Sequence, residues 1–467
     1  MRKNSLYLLI GLLAITFAFT SCLDSNTTEY ELSPDAAITA FSVGDITMTD
    51  TIKTKDGKKD STIYYTVTAS SYKFSIDQQN GRIFNSDSLP VGTKVDKLTT
   101  SLSYYGYYVT YLKNDKDTLW TDTDSIDFTR PLTFKAYALN GSIRQYQIEV
   151  RVHQQDPDSL QWTRLTDTNL SIPENAVHKA VCTPGKLYIF AQRGESLQVT
   201  SSANGTSWSG WQTVSLPGTA DYTSVTTLDG QLYILADNKL YLSDDGVTWT
   251  AANTERTFDK LFAASPKLGE LYALSGNELV SVSADGTQVS ATGTANTYFP
   301  TQNLSYAATT PDSNTSLERL VVVGTRDASL ANDTTATVWA KLSNEPAWSH
   351  YPQATNNTYG CPKLKNLAAF AYDGKLYAFG GSYDIPSTQT PPVRLAPFQY
   401  LYESMDGGIS WHPQTEKVML PKEFLNRTAS FSYVVDEHNF IWVFWSQSAQ
   451  TNGQTEVWRG RINRLGF

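Results

Sequence analysis

The chain has 467 residues, more than one ordinary hydrophobic core can organise, so two or three domains are expected. Charged residues make up only 18% and aromatic residues 12%, with many Thr and Ser, a mixture that favours strands over helices. A formal charge of -9 argues against nucleic acid as a partner, and five scattered His and three Cys, in no C-x-x-C or H-E-x-x-H spacing, argue against a zinc site or another metal centre.

Arg2 and Lys3 precede a largely apolar run from Leu6 to Phe19, too short to span a bilayer comfortably and interrupted by Gly11 and Thr16. It leads into Phe19-Thr20-Ser21-Cys22, which resembles a bacterial lipobox. That resemblance implies a signal peptide over 1–21 and lipidation of Cys22, so that the bilayer is a partner through the acyl chain. Residues 22–35 are polar and aperiodic and read as a flexible tether. Leu23 follows the cysteine where Asp would retain an enterobacterial lipoprotein in the inner membrane. The expected address is the outer membrane, on its periplasmic or cell-surface side. Without Arg2 and Lys3 the charge falls from -9 to -11. Cys182 and Cys361 remain, far apart, and are expected as two separately buried thiols.

Residues 36–155 read as one β-rich domain. Strands are expected at 37–43, 61–69, 72–77, 104–112, 132–139 and 144–152, with Asn140-Gly141 giving a type I′ hairpin. "ITAFSV", "GRIFNSDSLPVGT" and "DFTRPLTFKAYALNGSIRQYQIEV" resemble the immunoglobulin-like N-terminal module of Bacteroidota-type surface lipoproteins. "VHQQDPDSLQW" resembles the junction in a family of uncharacterised lipoproteins that joins this module to a propeller. The resemblance covers the mature chain and implies a fold, without an established activity.

Residues 156–467 contain a repeat with the core Gly-x-Leu-Tyr-apolar, at 185–190, 230–235, 269–274 and 374–381, with weaker copies at 317–324 and 438–445. Six copies at this spacing match four-stranded blades, so the expected fold is all-β, an immunoglobulin-like sandwich followed by a six-bladed propeller. The copy ending Phe379-Gly380-Gly381 resembles a Kelch repeat. A second element has the S-x-D-x-G-x-S-W form of an Asp box at 404–411 and a variant one residue shorter at 202–208 and 243–249. It comprises Ser202, Asn204, Gly205 and Trp208; Ser243, Asp245, Gly246 and Trp249; and Ser404, Asp406, Gly408 and Trp411. Each copy is expected as a structural hairpin between the third and fourth strands of a blade, its Trp packed between blades. The last repeat lacks a fourth strand, and 161–167 is expected to supply it, closing the ring with an N-terminal strand.

The Asp box raises sialidase chemistry, which needs an arginine triad and a Tyr–Glu pair. Ser171 stands where the first-blade arginine belongs, and Tyr402 and Glu403 are adjacent strand residues that face opposite ways. Asp327, Asp333 and Asp384, on long insertions, are the carboxylates through which the propeller mouth would host a glycoside-active enzyme instead. His178 and His438 are isolated beside strands, which disfavours a copper site. No catalytic residue or cofactor is assigned. Trp348, Tyr351, Tyr359 and Tyr383, the last beside Pro386, Pro391 and Pro392, are the aromatic residues that stiff loops would offer to a ligand. The expected function is a glycan- or protein-binding module; a scaffold subunit of a surface complex is a third reading.

Overall fold

The computed structural model describes residues 31–53, 60–154, 158–194, 196–311, 313–327, 333, 335–352, 359–382 and 395–462. It is all-β and falls into two compact units divided near residue 154. Among the described residues no helix is long and apolar enough to cross a membrane.

In the first unit, a six-stranded sheet runs in the order Phe74–Asp77, Arg82–Asn85, Ile143–Glu149, Leu132–Tyr137, Tyr108–Lys113, Lys116–Leu119. A two-stranded sheet, Ala37–Val43 with Thr100–Tyr105, shares a core with it. Phe41 meets Phe74 edge-on at 4.8 Å, and both sheets bury alternate residues such as Ile38, Phe134, Tyr146 and Ile148, as a period of two requires. The stretch 104–112, expected as one strand, is two. Gly106 takes a φ of +129° and lies so close to Tyr137 that a Cβ would sit 2.6 Å from its carbonyl oxygen. The chain therefore turns there and crosses from one sheet to the other. The Asn140-Gly141 turn also differs from expectation. A type I′ turn needs positive φ at both residues, and here Gly141 has it while Asn140 does not. Gly141 N–H donates to Ala138 and Ser142 N–H to the Asn140 side chain, a longer loop ending on a left-handed glycine.

The second unit holds six four-stranded antiparallel sheets. Each of the six repeat cores forms the second strand of its sheet: Lys186–Arg193, Gln231–Ala236, Glu270–Ser275, Arg319–Thr325, Lys375–Phe379 and Ile441–Trp445. The first strands are His178–Thr183, Ala220–Leu228, Lys260–Ser265, Gln302–Thr309, Ala368–Tyr372 and Phe431–Val435, and they line a common axis. They run side by side in the same direction. His178 Nδ1 lies 2.7 Å from Ser432 Oγ at their beginnings, and Cys182 Sγ meets the Val435 carbonyl at their ends. The paired glycines do what close backbone approach requires: Gly381 N–H donates to Lys365 at 2.8 Å, and a Cβ on Gly380 would sit 2.9 Å from the Lys365 carbonyl.

The three S-x-D-x-G-x-S-W elements lie between third and fourth strands, for example between Tyr402–Ser404 and His412–Pro413. In that copy Asp406 Oδ1 accepts from the N–H groups of Ile409 and Ser410 and from Ser404 Oγ. Trp411 Nε1 donates to the Gly408 carbonyl at 3.0 Å, as Trp208 does to Gly205 and Trp249 to Gly246. Gly205, Gly246 and Gly408 have positive φ and also press on the preceding sheet; a Cβ on Gly408 would reach Val321 at 2.9 Å. The indoles fill the seams between neighbouring sheets, Trp249 beside Phe190 and Trp208 beside Phe444. A further copy without Trp occurs at 283–288, where Asp285 accepts from Ser283 Oγ and Thr287 N–H around Gly286, φ +75°.

The segment 161–167 was expected to join the C-terminal strand. Leu160–Leu165 pairs antiparallel with Glu456–Ile462, Trp162 opposite Gly460 and Arg164 opposite Trp458. Trp162 Nε1 donates to the Met419 carbonyl at 2.9 Å.

Candidate functional site

The first strands of the six sheets surround a cavity of about 680 Å³. Their sequences ("HKAVCT", "KLFAAS", "LSYAAT") are rich in small residues because six strands converging on one axis leave little room for side chains. Two larger residues reach across it. Tyr306 Oη lies 3.1 Å from Thr226 Oγ1, linking the fourth sheet to the second. Tyr433 Oη lies 2.6 Å from Ser305 Oγ and 2.7 Å from the Ala369 carbonyl it donates to, linking the sixth sheet to the fourth and fifth. Burial raises the Tyr433 phenol to about 12, so both phenols stay neutral hydrogen-bonding groups.

The end where the first strands begin carries His178, Lys179, Tyr222, Lys260, Gln302 and Asn366. Lys179 Nζ donates to the Thr223 carbonyl at 2.5 Å. Burial lowers Lys179 to about 8, with Asp221 opposing the shift and Lys260 adding to it. His178 is buried, and that burial lowers it to about 4, so it is neutral. No Asp or Glu lines the cavity among the described residues. Asp221, close by, spends its Oδ1 on the N–H and hydroxyl of Thr223. Beyond the other end Asp436 accepts from His438, Phe440 and Trp442, and Glu437 accepts from Gly185 N–H.

The expected ligand-facing aromatic residues are not gathered here. Trp348 is 6% exposed and packs edge-on against Phe262 and Tyr272, both at 5.3 Å. Like Trp249 and Trp411 it immediately precedes a fourth strand, Ser349–Tyr351, and like them and Trp208 it fills a seam, so it has no free face for a ligand. Its turn, "SNEPAW", lacks the glycine carbonyl that the others bond, and its Nε1 finds no acceptor among the described residues. Tyr351 is half-buried against the seam of the fourth and fifth sheets. Tyr359 is 53% exposed and leans on His412, and Tyr383 lies outside the described residues.

The carboxylates expected at the mouth also scatter. Asp333 is bound by Arg326 through both nitrogens Nε and Nη2. Asp327 is exposed, and Asp384 lies outside the described residues. Glu403 accepts from Tyr377 Oη at 2.8 Å and pairs with Lys375, while Tyr402 points into a different hydrophobic cluster. Ser171 offers its carbonyl to Trp211 Nε1. His438 is exposed, and no cluster of three metal-binding side chains exists among the described residues. Cys182 and Cys361 are both free, and burial raises Cys182 to about 12, so neither is a reactive thiolate.

Two family models match the chain: the DUF6242 N-terminal domain of unknown function over 41–150 and the DUF6242 beta propeller domain over 156–467. The chain belongs to the DUF6242 family. No curated protein matches it. Solved structures similar to this DUF6242 protein include a luciferin-regenerating enzyme (11% identity, TM-score 0.37, 66% of this chain and 97% of that one). The α-L-arabinofuranosidase Arb93A from Fusarium graminearum is similar at 13% identity and TM-score 0.37, over 65% of this chain and 98% of that one. YCF48 from Cyanidioschyzon merolae is similar at 10% identity and TM-score 0.31, over 64% and 98%.

Proposed function

We propose that this DUF6242 protein is a lipid-anchored extracytoplasmic binding protein, whose six sheets act as the blades of a propeller closed by Leu160–Leu165 and whose ligand enters the central cavity. The first unit is read as an immunoglobulin-like spacer, the three S-x-D-x-G-x-S-W hairpins as Asp boxes, and the outer membrane as the address. The observation that carries the binding reading is the cavity lining: polar and aromatic groups without a carboxylate among the described residues. A glycosidase working there would need two. The lining instead offers hydroxyl, amide and ammonium groups, which recognise a glycan by hydrogen bonding.

The test is a glycan-array and pull-down screen with protein beginning near residue 36, beside an Ala308→Trp variant that fills the cavity. Binding to the wild type that the variant loses is the expected result; binding that the variant keeps would move the site elsewhere. The anchor is tested separately: palmitate incorporation should disappear in Cys22→Ser, and incorporation that survives would refute it.

A further inference from the structure

We infer that the end of the cavity where the first strands begin recognises an anionic group, a carboxylate or phosphate, on the ligand; this rests on the cavity being the binding site. The two lysines there sit on neighbouring structure: Lys179 on the first sheet and Lys260 on the third, with the second sheet's Thr223 carbonyl holding Lys179 between them. Lys260 pairs with Leu274 through its strand backbone, and its side chain makes no hydrogen bond or ion pair among the described residues, so its ammonium is available. The acid closest to Lys179, Asp221, is turned into its own backbone by Thr223. A chain with a formal charge of -9 thus lines this cavity with two lysines and no carboxylate among the described residues.

Burial is the main cause of the lowered Lys179; Asp221 opposes that shift and the neighbouring Lys260 adds a smaller repulsion to it. An anion between them would offset both that desolvation cost and the repulsion. Tyr222, Gln302 and Asn366 stand around the same end as neutral hydrogen-bonding groups. That set fits an acidic sugar, whose carboxylate meets the lysines and whose hydroxyls meet the amides and phenol.

Calorimetry on the protein beginning near residue 36 tests this with three probes: an oligogalacturonate, the neutral galactose oligomer of equal length, and inorganic phosphate. The acidic oligomer should bind, weaken as salt rises, and lose about tenfold in affinity in Lys260→Gln while Lys260→Arg retains it. Phosphate binding with the same Lys260 dependence, without oligogalacturonate binding, would assign the site to a phosphate rather than a carboxylate. Acidic probes that bind Lys260→Gln as well as wild type, or that do not bind at millimolar concentration, would overturn the inference. In that case, binding of the neutral oligomer that Ala308→Trp abolishes would leave the cavity reading standing, and its absence would remove that too.

Discussion

Asp406 shows how one side chain fixes a turn. Burial alone would raise its carboxyl, but the bonds from Ser410, Ser404 and Ile409 outweigh that and hold it below the usual carboxylate range. A group lowered in the folded state stabilises above its unfolded value and loses that contribution as pH falls through the folded one. Asp406→Ala should cost about 1–2 kcal/mol in urea unfolding at neutral pH and progressively less as pH falls below the ordinary carboxylate range and the wild-type carboxyl takes up its proton. Trp411, 2% exposed, should cost about 3–5 kcal/mol as Trp411→Ala at either pH. His178 behaves in a related way. The unfolded imidazole protonates near 6.5, the folded one near 4, so the unfolded chain binds the extra proton between those values. Stability should therefore fall by about 3 kcal/mol as pH drops through that window. His178→Gln should flatten the slope measured by denaturation at pH 7, 5.5 and 4; an unchanged slope would show that His178 is not its source.

The strand Leu160–Leu165 is held by more than its ladder. Gly460 has an ordinary backbone conformation, yet a Cβ there would lie 2.7 Å from the Trp162 ring, which is itself fixed by the Met419 carbonyl. Gly460→Ala should destabilise by about 1–3 kcal/mol in chemical denaturation, and combining it with Trp162→Leu should recover part of the loss. This pairing was legible in the sequence because an unpaired last strand leaves a definite vacancy and "QWTRLTD" has the composition to fill it. The repeat cores were legible for a similar reason: Leu and Tyr alternate beside a turn glycine, and each strand carries its own signal. The site was not. Its lining comes from six strands of Ala, Ser, Thr and Val, none distinctive alone, and Lys179 and Lys260 become partners only when separate sheets meet. A comparison of the segment just before each Gly-x-Leu-Tyr core would have exposed the lysines as exceptions among small residues. Trp348 misled because its turn has Glu-Pro-Ala where the other seam tryptophans follow Asp-Gly or Asn-Gly, so its shared place in the fold was hidden.

For the second unit as a whole, the edge that Leu160–Leu165 covers is the vulnerable one. Protein beginning at residue 158 should remain monomeric in light scattering, while protein beginning at residue 167 should associate through the bared Glu456–Ile462 edge. Equal behaviour of the two would show that this edge needs no cover. The tyrosines that cross the cavity bear on the same unit. Neighbouring sheets touch along seams, and a propeller ring of the kind proposed, if held at its seams alone, would open by parting any one of them. Tyr306 and Tyr433 add chords through the fourth sheet, to the second and to the sixth. Parting the seam between the second and third sheets then leaves the second still tied to the fourth. The same two phenols thus brace the wall of the cavity proposed as the ligand site, and a ligand that displaced either hydroxyl would loosen the frame around it.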